Sequence, residues 1–84
     1  MLAISRFREV DEELAEGLRT VAEFWRSRPG CLGVDLVVNL DEPGLWALVS
    51  RWRDVGSYRR AFSGNETKLL LTPVLLRAVD EPSA

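Results

Sequence analysis

The sequence predicts an α+β domain in which two helices cover one side of an antiparallel sheet, with elements in the order strand, helix, strand, strand, helix, strand. Three observations carry this reading. Residues 31–40 and 45–53 alternate in polarity with the period of two that places successive side chains on opposite faces of a strand, and Asp41-Glu42-Pro43-Gly44 between them has the composition of a turn. Residues 14–25 repeat their apolar positions at helical spacing instead. The chain has 84 residues, enough for one small domain that buries about 60–65% of its unfolded surface.

The first strand is expected over residues 1–8, with Leu2 and Ile4 on one side and Ala3 and Phe7 on the other. In the helix that follows, Leu14, Leu18, Val21, Ala22 and Trp25 form one stripe, flanked by Phe24. Asp11 caps it, Glu12 and Glu13 suit the positive end of its dipole, and Arg26 and Arg28 precede a Pro29-Gly30 stop. If residues 41–44 all form the hairpin loop, Leu40 faces Leu45, Asn39 faces Trp46, Leu36 faces Val49, Asp35 faces Ser50 and Gly33 faces Trp52. One face of the hairpin is then aliphatic. The other mixes Val37, Leu48, Trp46 and Trp52 with the hydrogen-bonding groups of Asp35, Asn39 and Ser50, as small-molecule pockets do. Core packing accounts for the same aromatics, with Gly33 making room for the Trp52 indole.

Asp54 starts a second helix whose Val55, Tyr58, Ala61 and Phe62 share a face, with Gly64 ending it. Asn65 opens a further helical turn that continues to Pro73, and residues 74–79 read as a short last strand. Residues 1–80 thus form one domain, and residues 81–84 a polar tail. This is a split βαβ arrangement with one uncovered sheet face. Hydrophobic residues reach 46%, so a second copy of the chain is the expected cover, seated on the aliphatic face of the hairpin.

Composition removes several function classes. Eleven basic and thirteen acidic residues give a net charge of −2, which provides no electrostatic footprint for nucleic acid or an anionic membrane surface. No apolar run approaches the roughly 20 residues of a membrane span and no cleavable apolar leader is visible, so a reducing cytoplasm is the expected setting. There is no histidine, which excludes a Ser-His-Asp triad, a His-ligated metal and a proximal-His haem. Cys31 is the single cysteine, and without an imidazole base it reads as an inert buried thiol. Only carboxylates could hold a metal, and Asp11, Glu12 and Glu13 are accounted for as a helix start. No metal site and no cofactor are expected.

The layout and the strings PGCLGVDLVVNLDEPGLWALVSRW and DVGSYRRAF resemble the antibiotic biosynthesis monooxygenase domains, over nearly the whole chain. The resemblance implies a ferredoxin-like subunit that pairs into a dimeric α+β barrel. It also implies cofactor-independent oxygenation of an aromatic polyketide or a phenolic or anthrone-like molecule: the substrate loses a proton in a dry aromatic pocket, and its carbanion reacts with dioxygen. By position in the motif, Trp52 matches the family's strand-end tryptophan and Tyr58 its following helix aromatic, which makes these two the catalytic candidates. Asn39, Trp46, Ser50 and Arg77 are substrate-binding candidates. Asn39 could donate to an oxyanion and Arg77 could stabilise an enolate, but no distinctive motif fixes either role. The haem-degrading branch carries a histidine where this chain has residues 68–72, KLLLT, and a tryptophan near Ala61, so haem degradation is not expected. A dimer that binds a small aromatic ligand or another protein without catalysis is the alternative, and a cyclase or isomerase role a third.

Overall fold

Asp11 begins the first helix as its sequence requires: its carboxylate accepts a hydrogen bond from the Leu14 amide at 2.8 Å. The computed structural model describes residues 1–62 and 65–78. Helix α1 spans Glu12–Arg26 between strands β1 (Leu2–Phe7) and β2 (Cys31–Val38). Its buried residues are the expected stripe with Ala15 added, and each large apolar side chain in it contributes roughly 1.5–3 kcal/mol of burial. Gly30 ends the connection with φ +84°, and a Cβ there would overlap the Ser57 side chain. Only glycine meets both demands.

Strand β3 (Trp46–Trp52) lies between β1 and β2, antiparallel to both. The hairpin register differs by one residue from the expected one. Asn39 pairs with Leu45, its amide bonded to the Leu45 carbonyl at 2.9 Å, so the loop takes residues 40–44 and includes Leu40. Asn39 causes this: its side-chain oxygen accepts from the Asp41 and Glu42 amides at 2.8 and 3.0 Å and starts the turn one residue early. Val38 therefore faces Trp46, Leu36 faces Leu48, Val34 faces Ser50, Asp35 faces Val49 and Gly33 faces Arg51. A bulge at Leu32 then returns Cys31 to a place opposite Trp52. A slip of one residue exchanges faces. The expected mixed face is divided, with Trp46, Leu48, Ser50 and Trp52 turned to the helices and Asp35 and Val37 turned away.

Asp54 caps α2 (Val55–Arg60), accepting from the Ser57 amide at 2.7 Å. The buried position is Ser57, whereas Val55 is 47% exposed, so the expected apolar face is rotated toward Ser57, Tyr58, Ala61 and Phe62. The Gly64 stop lies outside the described residues. Helix α3 (Asn65–Leu75) runs through Pro73, which corrects the strand expected over residues 74–79. Leu71, Val74 and Leu75 pack on the core at i, i+3 and i+4, a helical period. Proline forgoes only one bond there, and Leu69, four residues before it, is 78% exposed. Past the helix, Ala78 bridges Phe7 on the edge of β1 away from β3, the place of a fourth strand in a ferredoxin-like sheet; Val79 and the tail lie outside the described residues.

The helices cover one side of the sheet, where Phe7, Leu18, Trp25, Leu48, Trp52 and Leu71 are buried. The fold is α+β and ferredoxin-like. On the other side Leu2, Ile4 and Val37 stand exposed around an Arg51–Asp35 ion pair of 3.0 Å. Leu36 is not among them, because it packs against the core. No helix among the described residues is long and apolar enough to cross a membrane.

Candidate active site

Alternation along β3 turns Leu48, Ser50 and Trp52 toward the helices, and the last turn of the α1 stripe brings Trp25 down on the same spot. Their indole rings meet edge to face. Across from them, Tyr58 and Phe62 stand one helical turn apart. The Tyr58 ring lies 5.6 Å from Trp52 and 4.8 Å from Phe62, centroid to centroid, and Phe62 lies 5.5 Å from Trp25. Both catalytic candidates thus belong to one cluster of four aromatic rings. Trp25 and Phe62 complete it; spacing alone marks them as helix-face residues, and only their meeting with β3 gives them a place in the site.

The polar groups of this layer are not all satisfied. Ser50 and Trp52 are each 0% exposed. The Ser50 hydroxyl and the indole N–H groups of Trp25 and Trp52 have no hydrogen-bond partner among the described residues, and neither has the Arg28 Nε. A buried polar group left unpaired costs about 1–3 kcal/mol, and native interiors hold few of them. Several together are a cost that ligand binding could offset, since donors in a dry site stabilise an incoming oxyanion strongly. Burial also pushes the Tyr58 phenol above its ordinary value of 10.0. At neutral pH Tyr58 is therefore a hydrogen-bond donor and not a base.

Phe62 links this cluster to an open apolar cleft of about 210 Å³, lined by Phe62, Leu71 and Leu75 with Lys68, Thr72 and Leu76 at its rim. Among the described residues, no three His, Cys, Asp or Glu side chains gather as metal ligands. Asp11 serves as a cap, and the half-buried Cys31 thiol sits opposite Trp52.

The remaining candidates lie elsewhere. Trp46 begins the strand that Trp52 ends, so roughly 20 Å separates them; its indole donates to the Pro43 carbonyl at 3.1 Å. Asn39 is exposed, with its side-chain oxygen engaged in the loop. Arg77 is exposed in the turn after α3, next to Ala78 and so toward the Phe7–Trp46 end of the sheet. Of the six sequence candidates the structure brings together Trp52, Tyr58 and, two residues along β3 from Trp52, Ser50.

The antibiotic biosynthesis monooxygenase family matches residues 3–68, from β1 into α3. The chain belongs to this family. Among curated proteins none matches this monooxygenase-family chain. Among solved structures, SnoaB from Streptomyces nogalater, a cofactor-independent oxygenase, is similar with a TM-score of 0.80 and 20% identity, over 95% of this chain and 84% of its own. Rv0793 from Mycobacterium tuberculosis is similar with a TM-score of 0.77 and 20% identity, over 99% of this chain and 86% of its own. A conserved protein from Methanosarcina mazei Go1 has a TM-score of 0.77 at 15% identity, over 95% of this chain and 82% of its own. At such identities the likeness establishes the shared fold of this monooxygenase family.

Proposed function

We propose that the protein is a cofactor-independent monooxygenase for a phenolic or anthrone-like aromatic molecule, acting as a homodimer. The observation that carries this reading is the aromatic cluster of Trp25, Trp52, Tyr58 and Phe62, whose buried indole donors lack partners among the described residues and whose Phe62 lines an apolar cleft. The chain's membership of the monooxygenase family and its likeness to a cofactor-independent oxygenase support it.

In this reading the aromatic rings hold a planar substrate and exclude water. The Trp52 N–H and the Ser50 hydroxyl donate to the substrate oxygen as negative charge develops on it, which lowers the cost of removing a proton from the adjacent carbon. With no histidine in the chain and Tyr58 held protonated, the proton passes to solvent water at the open mouth of the cleft. The carbanion then transfers electrons to dioxygen, a C–O bond forms, and loss of water leaves a new carbonyl: the CH2 group of an anthrone, or of a phenol's keto tautomer, and O2 become C=O and H2O. Tyr58 donates to the oxygen that leaves as water. The second copy of the chain seats on the outer sheet face, over Leu2, Ile4, Val37, Ala47 and Val49.

Oxygen uptake and product mass with a panel of naphthols and anthrones test the proposal. Turnover without added cofactor is the expected result. Tyr58→Phe should keep the fold and lower turnover by about 10²-fold or more, whereas a tyrosine that only packs would change the rate no more than it changes stability. Binding without turnover across the panel would favour the second reading, a ligand-binding module, which the shortage of a base in the site makes the natural competitor.

A further inference from the structure

We propose that Arg28 makes the aromatic site selective for planar ligands that carry a carboxylate. The proposal rests on the aromatic-site reading above and adds the charge of the ligand to it. Helix phase locates the arginine. Gly17 faces α3, for a Cβ there would come within 2.9 Å of the Val74 side chain. Phe24 follows two turns later and so lies on the same side of α1, toward α2 and α3. The Arg28 guanidinium stacks over the Phe24 ring, 5.0 Å from its centroid. Phe24 packs against the core cluster, and the next residue, Trp25, touches Tyr58 and Phe62. The cation therefore lies on the flank of α1 beside the turn that carries Trp25 into the aromatic cluster.

Three features separate Arg28 from a solvated surface arginine. Its Nε is buried, neither a hydrogen-bond partner for that atom nor a carboxylate paired with the side chain occurs among the described residues, and its plane is held by an aromatic ring. A stacked guanidinium is pre-organised to bind a carboxylate through two parallel hydrogen bonds. The surroundings favour an anion as well. Arg53 and Arg59 stand on the same end of the molecule, where Asp54 caps α2 and lies 3.8 Å from the Arg53 guanidinium.

Calorimetric titration of the full chain with 2-naphthoate and 2-naphthol, two ligands alike in shape and different in charge at neutral pH, tests this. Wild type should bind 2-naphthoate at least about tenfold more tightly, and the preference should shrink with added salt. Arg28→Gln should abolish the preference and leave 2-naphthol affinity unchanged, whereas Arg59→Gln, at an exposed position on α2, should preserve it. Should circular dichroism show that Arg28→Gln does not fold, Arg28→Lys replaces it, with the preference expected to fall several-fold because the planar guanidinium is lost. Binding of 2-naphthol with no preference for 2-naphthoate, or a preference that survives in the Arg28 variants, would overturn the role of Arg28 alone. Failure of both ligands to bind would overturn the aromatic site itself and this proposal with it.

Discussion

Trp25 at the end of α1 and Trp52 at the end of β3 meet edge to face, their ring centroids 5.8 Å apart and their planes at 80°. The contact closes the core where helix and sheet converge, yet neither indole N–H has a partner among the described residues. Edge-to-face geometry is the favourable one for two aromatic rings. The unpaired donors are not favourable, and this conflict within a well-packed core is what makes the region the candidate site.

Titration gives one prediction. The Ser57 amide and then its hydroxyl hold the Asp54 carboxyl below its ordinary value of 3.8, with Arg53 and Arg60 adding to the effect. A carboxylate whose value is depressed on folding contributes stability that is present above about 3.8 and lost as pH falls through the folded value. Tyr58 acts at the other limit. Its value is raised by burial, so the folded state keeps the proton longer, and stability should hold below about pH 10 and decline as pH rises further. Urea midpoints measured across pH should fall at both extremes, with Asp54→Asn flattening the acid limb and Tyr58→Phe the alkaline one.

A second prediction concerns Gly30. Its positive φ and its closeness to Ser57 make alanine unfavourable on two grounds, backbone strain and overlap with a buried side chain. Gly30→Ala should destabilise by about 2–4 kcal/mol, read as a lower urea midpoint at unchanged slope. A loss below about 0.5 kcal/mol would mean that the turn relaxes around the new methyl group.

Most of the fold was legible in local chemistry, because caps, stops and periodicity act over a few residues. The α1 stripe, both aspartate caps and the order of the elements through α2 follow from residue spacing. The errors arose where a single residue decided between near-equivalent arrangements. Asn39 spends its side chain on the loop and shifts the hairpin by one, and Pro73 sits late enough in α3 to be tolerated. The site was legible only in part for the same reason. Trp52 and Tyr58 are placed by the elements they end or begin, whereas Asn39 and Trp46 depended on the register, and Trp25, Phe62 and Arg28 join the site through tertiary contact alone.

The corrected register yields a third prediction, about assembly. Ile4 is 56% exposed on the outer sheet face, opposite Val49, while Leu36, opposite Leu48 on β3, packs on the core. If the outer face carries a homodimer, Ile4→Asp should leave the fold intact and weaken association by about a hundredfold or more, since a carboxylate buried without a partner costs several kcal/mol. Leu36→Asp should unfold the chain instead. Light scattering at micromolar concentration together with circular dichroism separates the two effects. A monomeric wild type would overturn the homodimer, and a fully dimeric Ile4→Asp would place the interface elsewhere.

Ser50 offers the sharpest division between packing and function. Its hydroxyl is fully buried on β3, opposite Ala3 and Val34, and makes no hydrogen bond among the described residues. If packing were its only task, alanine would serve better: removing an unpaired hydroxyl and leaving a slightly smaller side chain should raise stability by about 1 kcal/mol. Ser50→Ala is therefore expected to unfold at a higher urea concentration than wild type. The functional reading requires the opposite change in activity. A donor aimed at a developing oxyanion in a dry site is worth about 10²–10³ in turnover, so the same variant should be more stable and markedly slower, with KM changed less than kcat. Ser50→Thr, which restores the hydroxyl at the cost of an added methyl group, should recover part of the rate while losing stability. An alanine variant that gains stability and keeps full turnover would remove Ser50 from the site and leave the Trp52 indole as the donor on the sheet side.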